Sequence, residues 1–414
     1  MNLKRTKIIS ALDKIILFSL YGVAFFLPIS KAIIGFFIYL SFACYLLKKV
    51  AQKQPIIPKT KLNFAILFYF TVCLLSIFLS ANYKISFRSF LGKVLQNTVL
   101  FFVVVDTFNT KRRINIFLHI LFLSSILIGI DGIYQYFTFK DFIRNRTDLY
   151  DHYMQRIHAS FYTPNAFGCY LCIVLPFVIS AFFTKLRFKL FRLAYFSLFI
   201  LLFTCLLLTV SRGAWFAFIS SMFFMGIWVR ALGIFFFAVG IFIIATHSFY
   251  PQIIKSRIDN LFIFMDKGTD IDRRIIWQAG WKMFMQRPLL GLGLGTFMLS
   301  FPNFVIKTYP YSVPYAHNCY LQIAAELGIA GLAAFLSILA VFFYNGIRAI
   351  NTHAQKTFLW YVLLAALAAI LGYCVQMAVD TVFYSLDLGV LFWLVLGLGI
   401  AVMKQLELGS VSLS

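Results

Sequence analysis

The chain has 414 residues, 62% of them hydrophobic and 12% charged, with a mean hydropathy of +0.88. A soluble globular domain is about half apolar and about a quarter charged, so this composition excludes one and defines an all-α protein that crosses a membrane many times. The net charge of +23 would suit nucleic acid, but its basic residues flank apolar segments and read as orientation signals beside anionic headgroups.

Apolar windows of roughly 20 residues, enough to cross a bilayer, fall near 13–30, 32–47, 62–80, 93–108, 114–137, 165–184, 190–209, 213–229, 231–248, 318–346, 357–379 and 387–404. About 12 spans are therefore expected. The basic start (Lys4, Arg5, Lys7) runs into the first window with no small-residue cleavage site, so that window reads as a true span and not a signal peptide. Excluding the long loop 249–316, the short stretches on the N-terminal side carry over twice the Lys and Arg of the other side. Both termini are expected inside. The chain divides into a scaffold (1–155, outer loops 81–93 and 138–155), a core (156–346, outer loop 249–316) and a C-terminal pair of spans with a short, disordered tail (347–414).

Unpaired cations on the outer side oppose that topology and need another reason. In ANYKISFRSFLGK (81–93), Lys84, Arg88 and Lys93 read either as snorkelling side chains of an interfacial helix or as anion contacts. Asp131 lies mid-span, and a buried helix–helix hydrogen bond accounts for it; His119, in the same span, reads as packed. Arg156 and His158 precede Thr163-Pro164-Asn165, a turn and helix start whose free N–H groups suit an anion. Ser211-Arg212-Gly213 is a tight turn between apolar runs, where arginine offers a five-donor fork suited to phosphate.

Loop 249–316 alone has soluble character. Asp270 and Asp272 are placed to favour a helix dipole. From Arg273 the pattern is amphipathic, with Gln278, Lys282 and Gln286 on one face and Trp277, Trp281 and Phe284 on another, a helix lying on the membrane or capping the bundle. Arg273 and Arg274 sit in its first turn, where they could hold a pyrophosphate. Gly291, Gly293 and Gly295 of PLLGLGLGTF lack a βαβ context and serve close backbone approach or sharp bends.

The stretch 288–332 organises the chain, because it leads to His317-Asn318 at the outer mouth of an apolar span. A neutral imidazole there could take a hydroxyl proton. Glu326 within the span reads as structural. Asp380 and Asp387 in the last outer turn could orient an arginine or an acceptor, or cap the turn. The seven cysteines, an odd number set in spans, read as packing, with no disulfide framework and no metal cluster.

SRGAW (211–215), RRIIW…RPLLGLGLGTF (273–297), HNCYLQIAAELGIAGL (317–332) and the preceding RIHASFYTPNAFGCYL (156–171) together resemble the O-antigen ligase/polymerase (Wzy-C) family. The resemblance implies a GT-C-like, metal-independent inverting glycosyltransferase without cofactor. It would move glycan from an undecaprenyl-diphosphate carrier to a lipid A–core hydroxyl on the periplasmic face of the bacterial inner membrane. Carried over, His317 is the general base, and Arg212, Arg273 and, ahead of the Pro164-Asn165 turn, Arg156 hold the diphosphate; Arg88 and Arg274 are candidate contacts read from the residues themselves. Asn318, Lys84 and Asp380 are supporting candidates. A polymerase of the same family and a non-catalytic lipid-linked glycan transporter are the alternatives.

Overall fold

The computed structural model describes residues 3–147, 156–184, 189–231, 269–305, 315–353 and 356–411. The expected span 231–248 lies outside them apart from its first residue, as do 148–155 and much of the loop 249–316; the side chains of Asp270 and Asp272 are not described either.

Among the described residues the chain is helical, without strands. Helices α1 (Leu3–Phe26), α2 (Lys31–Gln52) and α3 (Asn63–Phe78) lead to α4 (Tyr83–Ser89), which continues through a π-helical turn (Phe90–Leu95) into α5 (Gln96–Thr107). Then come α6 (Lys111–Thr138), α7 (Pro164–Phe183), α8 (Lys189–Leu208) and α9 (Arg212–Trp228). The remainder are α10 (Thr269–Gln286), the short α11 (Phe297–Ser300), α12 (Cys319–Thr352), α13 (Phe358–Met377) and α14 (Leu386–Val411). Nine of the described helices are long and apolar enough to cross a membrane; α3 is a shorter apolar helix and α9 has 17 residues. The chain is a multi-pass membrane protein.

Helix starts follow local chemistry. Thr110, Thr163, Ser211, Asn318 and Thr357 are extended N-cap residues whose side-chain oxygens accept from the backbone N–H three residues on, satisfying a donor that has no partner within the helix. Pro164 follows Thr163 at the first helical position, where its missing N–H costs nothing.

The interior is built around α7, α13 and α14. In α14, 94% of the most apolar window is buried, as expected of a helix that is hydrophobic all round. The small residues Ala365, Ala366, Ala368 and Ala369 let α13 approach its neighbours closely, which is how membrane helices gain packing contacts. Ser221 of α9 donates to the Ala368 carbonyl at 2.8 Å. On the far side from His317, Lys48 pairs with Asp13, and Lys49 with Asp106 at 2.9 Å. Both lysines are buried, so these basic residues serve bundle packing as well as orientation.

Several expectations are corrected. The segment 81–93 is not a loop: its helix runs directly into the next span. The expected disordered tail is helical as far as Val411, because α14 simply continues. His119 is exposed, accepts no burial, and contacts the Asn115 carbonyl and Tyr195 hydroxyl at 2.7 and 3.1 Å. On α10 the packed face is Ile276, Ala279 and Met283, with Trp277 38% and Trp281 56% exposed.

Candidate active site

The glycine-rich turn and the helix after His317 hold each other. Gly328 breaks α12 with φ 66° and ψ −168°, and a non-helical backbone inside a span must find new hydrogen-bond partners. It finds them in the turn: Ile329 and Ala330 N–H donate to the Pro288 and Leu289 carbonyls at 2.7 and 3.2 Å. In return Leu292 and Gly293 N–H donate to the Ala325 and Glu326 carbonyls at 3.0 and 2.9 Å. A Cβ at Gly291 (φ +66°) would lie 2.3 Å from the Glu326 carbonyl carbon, and one at Gly328 an equal distance from that of Leu289. Only glycine permits both the φ and the approach, so the sequence expectation of close backbone contact holds.

Glu326, 1% exposed, organises this joint. It accepts from Gly295 N–H (2.8 Å), Phe297 N–H (3.3 Å), Gln322 Nε2 (3.0 Å) and Tyr384 Oη (3.2 Å). Lys93, on the π-helical turn, lies with its ammonium 4.8 Å from the centre of the Tyr384 ring. A buried carboxylate needs such a full set of donors, and the structural reading of Glu326 stands.

His317 sits at the top of this joint with φ 48°, a conformation uncommon for a residue with a side chain. Its neighbours enforce it. Ala316 N–H donates to Gln322 Oε1 (3.2 Å), the Trp277 indole donates to the Ala316 carbonyl (3.0 Å), and Asn318 caps α12 by accepting from Leu321 N–H (3.0 Å). The imidazole Nδ1 lies 3.2 Å from Asp380 Oδ1, with side chains 39% and 13% exposed. With Nδ1 protonated and donating to the carboxylate, Nε2 is the nitrogen left to accept a proton.

Asp380 also accepts from Thr381 N–H at 2.8 Å, and the Cys319 thiol donates to its backbone carbonyl at 3.1 Å. Asn165 lies near enough to help hold its carboxylate charged and leads to the second half of the site. Asn165 Oδ1 accepts from Ser211 Oγ (2.8 Å) and from Arg156 Nη2 (3.2 Å), while Arg156 Nε donates to the Thr209 carbonyl (3.0 Å). Val210, just before the Ser211-Arg212 turn, has φ 52°. For a β-branched residue this is a true outlier, and such strain gathers where function holds the backbone. A Cβ at Gly213 would meet Val379 at 2.6 Å, so the turn seats against the segment that carries Asp380.

The structure thus brings together His317, Asp380, Asn165, Ser211 and Arg156, with Arg212 next to Ser211 at the first turn of α9. Arg273 and Arg274 lie in the opening turns of α10, Arg273 one turn before the indole that contacts the residue preceding His317. Arg88 and Lys84 are exposed on α4, which is fastened to the glycine turn by Ser86 Oγ donating to the Leu294 carbonyl at 2.8 Å; no contact of theirs with His317 is present among the described residues. His158 does not face an anion. It is buried, contacting Gln135 Nε2 through Nε2 at 3.0 Å. Asp131 accepts from Phe142 N–H at 2.8 Å, a tie to the loop after α6 and not between helices. Asp380 engages the histidine, and Asp387 caps its turn by accepting from Leu388 N–H at 3.1 Å. Asn165 and Ser211 were seen only as parts of turns; the Ser211–Asn165–Arg156 hydrogen bonds had no signal in the sequence.

Burial alone would raise the Asp380 carboxyl. The hydrogen bond and charge of His317, then Thr381 N–H and Asn165, outweigh it and hold the group below its ordinary value of 3.8. A carboxylate depressed in the folded state contributes stability in full above its unfolded value, about 3.9, and loses it as pH falls through the folded value. Asp380→Asn should therefore flatten the acid side of the thermal-unfolding profile below about pH 4. An unchanged acid limb in that variant would remove Asp380 from the ion pair.

The fold and this constellation define a multi-pass membrane protein with a histidine–carboxylate pair and arginine-bearing turns at one end of its bundle. Residues 197–336, about a third of the chain, match the family model described as O-Antigen ligase. Over this segment the chain is similar to the O-antigen ligase family. The segment contains Arg212, Arg273 and His317, while Arg156, Asn165 and Asp380 lie outside it. None of the curated proteins compared with the chain matches it.

Proposed function

We propose that this protein is an O-antigen ligase, transferring glycan from undecaprenyl diphosphate to a sugar hydroxyl of lipid A–core, at the periplasmic face of the inner membrane with both termini cytoplasmic. The observation that carries the reading is the His317–Asp380 pair beside Asn165, which bonds Ser211 and Arg156, in a chain similar to this family. His317 Nε2 takes the proton of the acceptor hydroxyl, and Asp380 holds the imidazole in the required tautomer and stabilises its cationic form. The freed oxygen attacks the anomeric carbon from the face opposite the carrier. The new C–O bond forms as the bond to the diphosphate breaks, inverting the centre. The electron pair leaves on the diphosphate, whose charge Arg212, Arg273 and Arg156 neutralise, with Arg274 and Arg88 as outer contacts. Fixed cations aimed at charge developing in the transition state contribute strongly to rate, and arginine's fork suits a diphosphate. On this reading no metal is needed.

Purified protein given an undecaprenyl-diphosphate-linked glycan, with and without lipid A–core, in EDTA, tests the assignment. Glycan joined to the core lipid supports a ligase. Lengthening of carrier-linked glycan without core lipid would make it a polymerase, and no product with any donor would favour a transporter.

A further inference from the structure

On the same end of the bundle as His317, but apart from it, three cations surround one exposed ring. Lys31 Nζ, Arg146 Cζ and Arg144 Cζ lie 4.4, 4.9 and 5.4 Å from the centre of Tyr162, a side chain 60% exposed. The cations come from two segments, the first residue of α2 and the loop after α6, and the ring is the residue before the Thr163 cap. Bringing three like charges to one ring is unfavourable unless something offsets them. The two nearby carboxylates do so only from behind. Asp387 (4% exposed) lies 3.9 Å from Lys31, and Asp141 (0% exposed) lies 3.6 Å from Arg146 Nε. Asp141 is further engaged by the Arg144 and Arg146 backbone N–H groups at 2.6 and 3.1 Å.

The guanidinium forks are held in place by the backbone and are not fully used by it. Arg144 Nε and Nη2 donate to the Ile29 carbonyl at 3.2 and 3.0 Å. Arg146 Nη2 donates to the Ser160 and Phe161 carbonyls at 2.7 and 2.9 Å. In both, Nη1 has no protein partner among the described residues. A pre-set fork with spare donors beside an ammonium is the geometry that receives a phosphate.

The surroundings indicate what carries the phosphate. Tyr134, Phe137 and Phe142, at the end of α6 and in the loop after it, are 44%, 73% and 43% exposed, and Lys31 opens a span. Exposed aromatics at helix ends mark the level of lipid headgroups. The geometry points to a binding site for the phosphate ester at the head of a membrane amphiphile, formed by Lys31, Arg144, Arg146 and Tyr162.

The test is a binding titration of the delipidated protein in neutral detergent with phosphatidic acid and with zwitterionic phosphatidylcholine. The wild-type chain should prefer phosphatidic acid by at least about tenfold. Lys31→Gln should lose most of that preference while the protein still folds, since Asp387 keeps the Ser385 hydroxyl and Leu388 N–H, and Arg144→Gln should act in the same direction. Millimolar inorganic phosphate separates the sources. A preference that survives it belongs to a lipid headgroup, whereas one that collapses marks a site for free phosphate and overturns the lipid assignment. Equal binding of the two lipids, or a preference untouched by both substitutions, would overturn it.

Discussion

His317→Ala is expected to lower glycan transfer by about 10²–10⁴-fold, the usual contribution of a positioned general base, with little change in donor affinity. The side chain is 39% exposed and makes one side-chain hydrogen bond, to Asp380, so its loss leaves no packing cavity and the protein should still fold. Asp380 would keep Thr381 N–H but lose the imidazole. Added imidazole should restore part of the rate in His317→Ala, because a free base can enter the space vacated by the ring. Transfer near the wild-type rate in a folded His317→Ala protein would end the general-base assignment, leaving His317 as a residue of the turn alone.

Arg212→Lys is the second large effect, expected at about 10²–10³-fold in kcat. Lysine keeps the charge and loses the two-pronged donor set, so the substitution separates fork geometry from simple electrostatics. Arg212 opens α9 immediately after the Ser211 cap and the left-handed Val210. Its backbone is therefore fixed by the Ser211–Asn165 bond beside Asp380. Lys84→Gln, on exposed α4, serves as the control and should change the rate much less. Equal, small losses in Arg212→Lys and Lys84→Gln would mean that general positive charge, not a built diphosphate site, assists transfer.

Local chemistry was legible in the sequence. The helix starts at Thr163, Ser211 and Asn318 follow from short polar side chains that satisfy the nearest free N–H groups, and such signals lie within three residues of the effect. The glycines of 291–295 likewise announced a backbone that side chains would obstruct. What failed was anything requiring knowledge of a distant partner. Periodicity could not say that Ile276, Ala279 and Met283 form the packed face of α10 or that the Trp277 indole reaches the Ala316 carbonyl. The cations of 81–93 were legible as an interfacial helix, but not that a π-helical turn would carry that helix into the next span.

By itself the sequence determined that the chain enters a membrane many times, where its helices begin, and which histidine and arginines stand at their ends. Hydropathy and capping act over one or two turns, so the residues concerned are read together. The tertiary structure decided that Asp380 meets His317, that Asn165 lies beside Asp380 and bonds Arg156 and Ser211, and that Gly328 opens α12 to receive the glycine turn. It also gathered Lys31, Arg144 and Arg146 around Tyr162. Each of these depends on helices far apart in the chain packing side by side, and a membrane interior accepts only the arrangement that leaves no backbone or charged group without a partner.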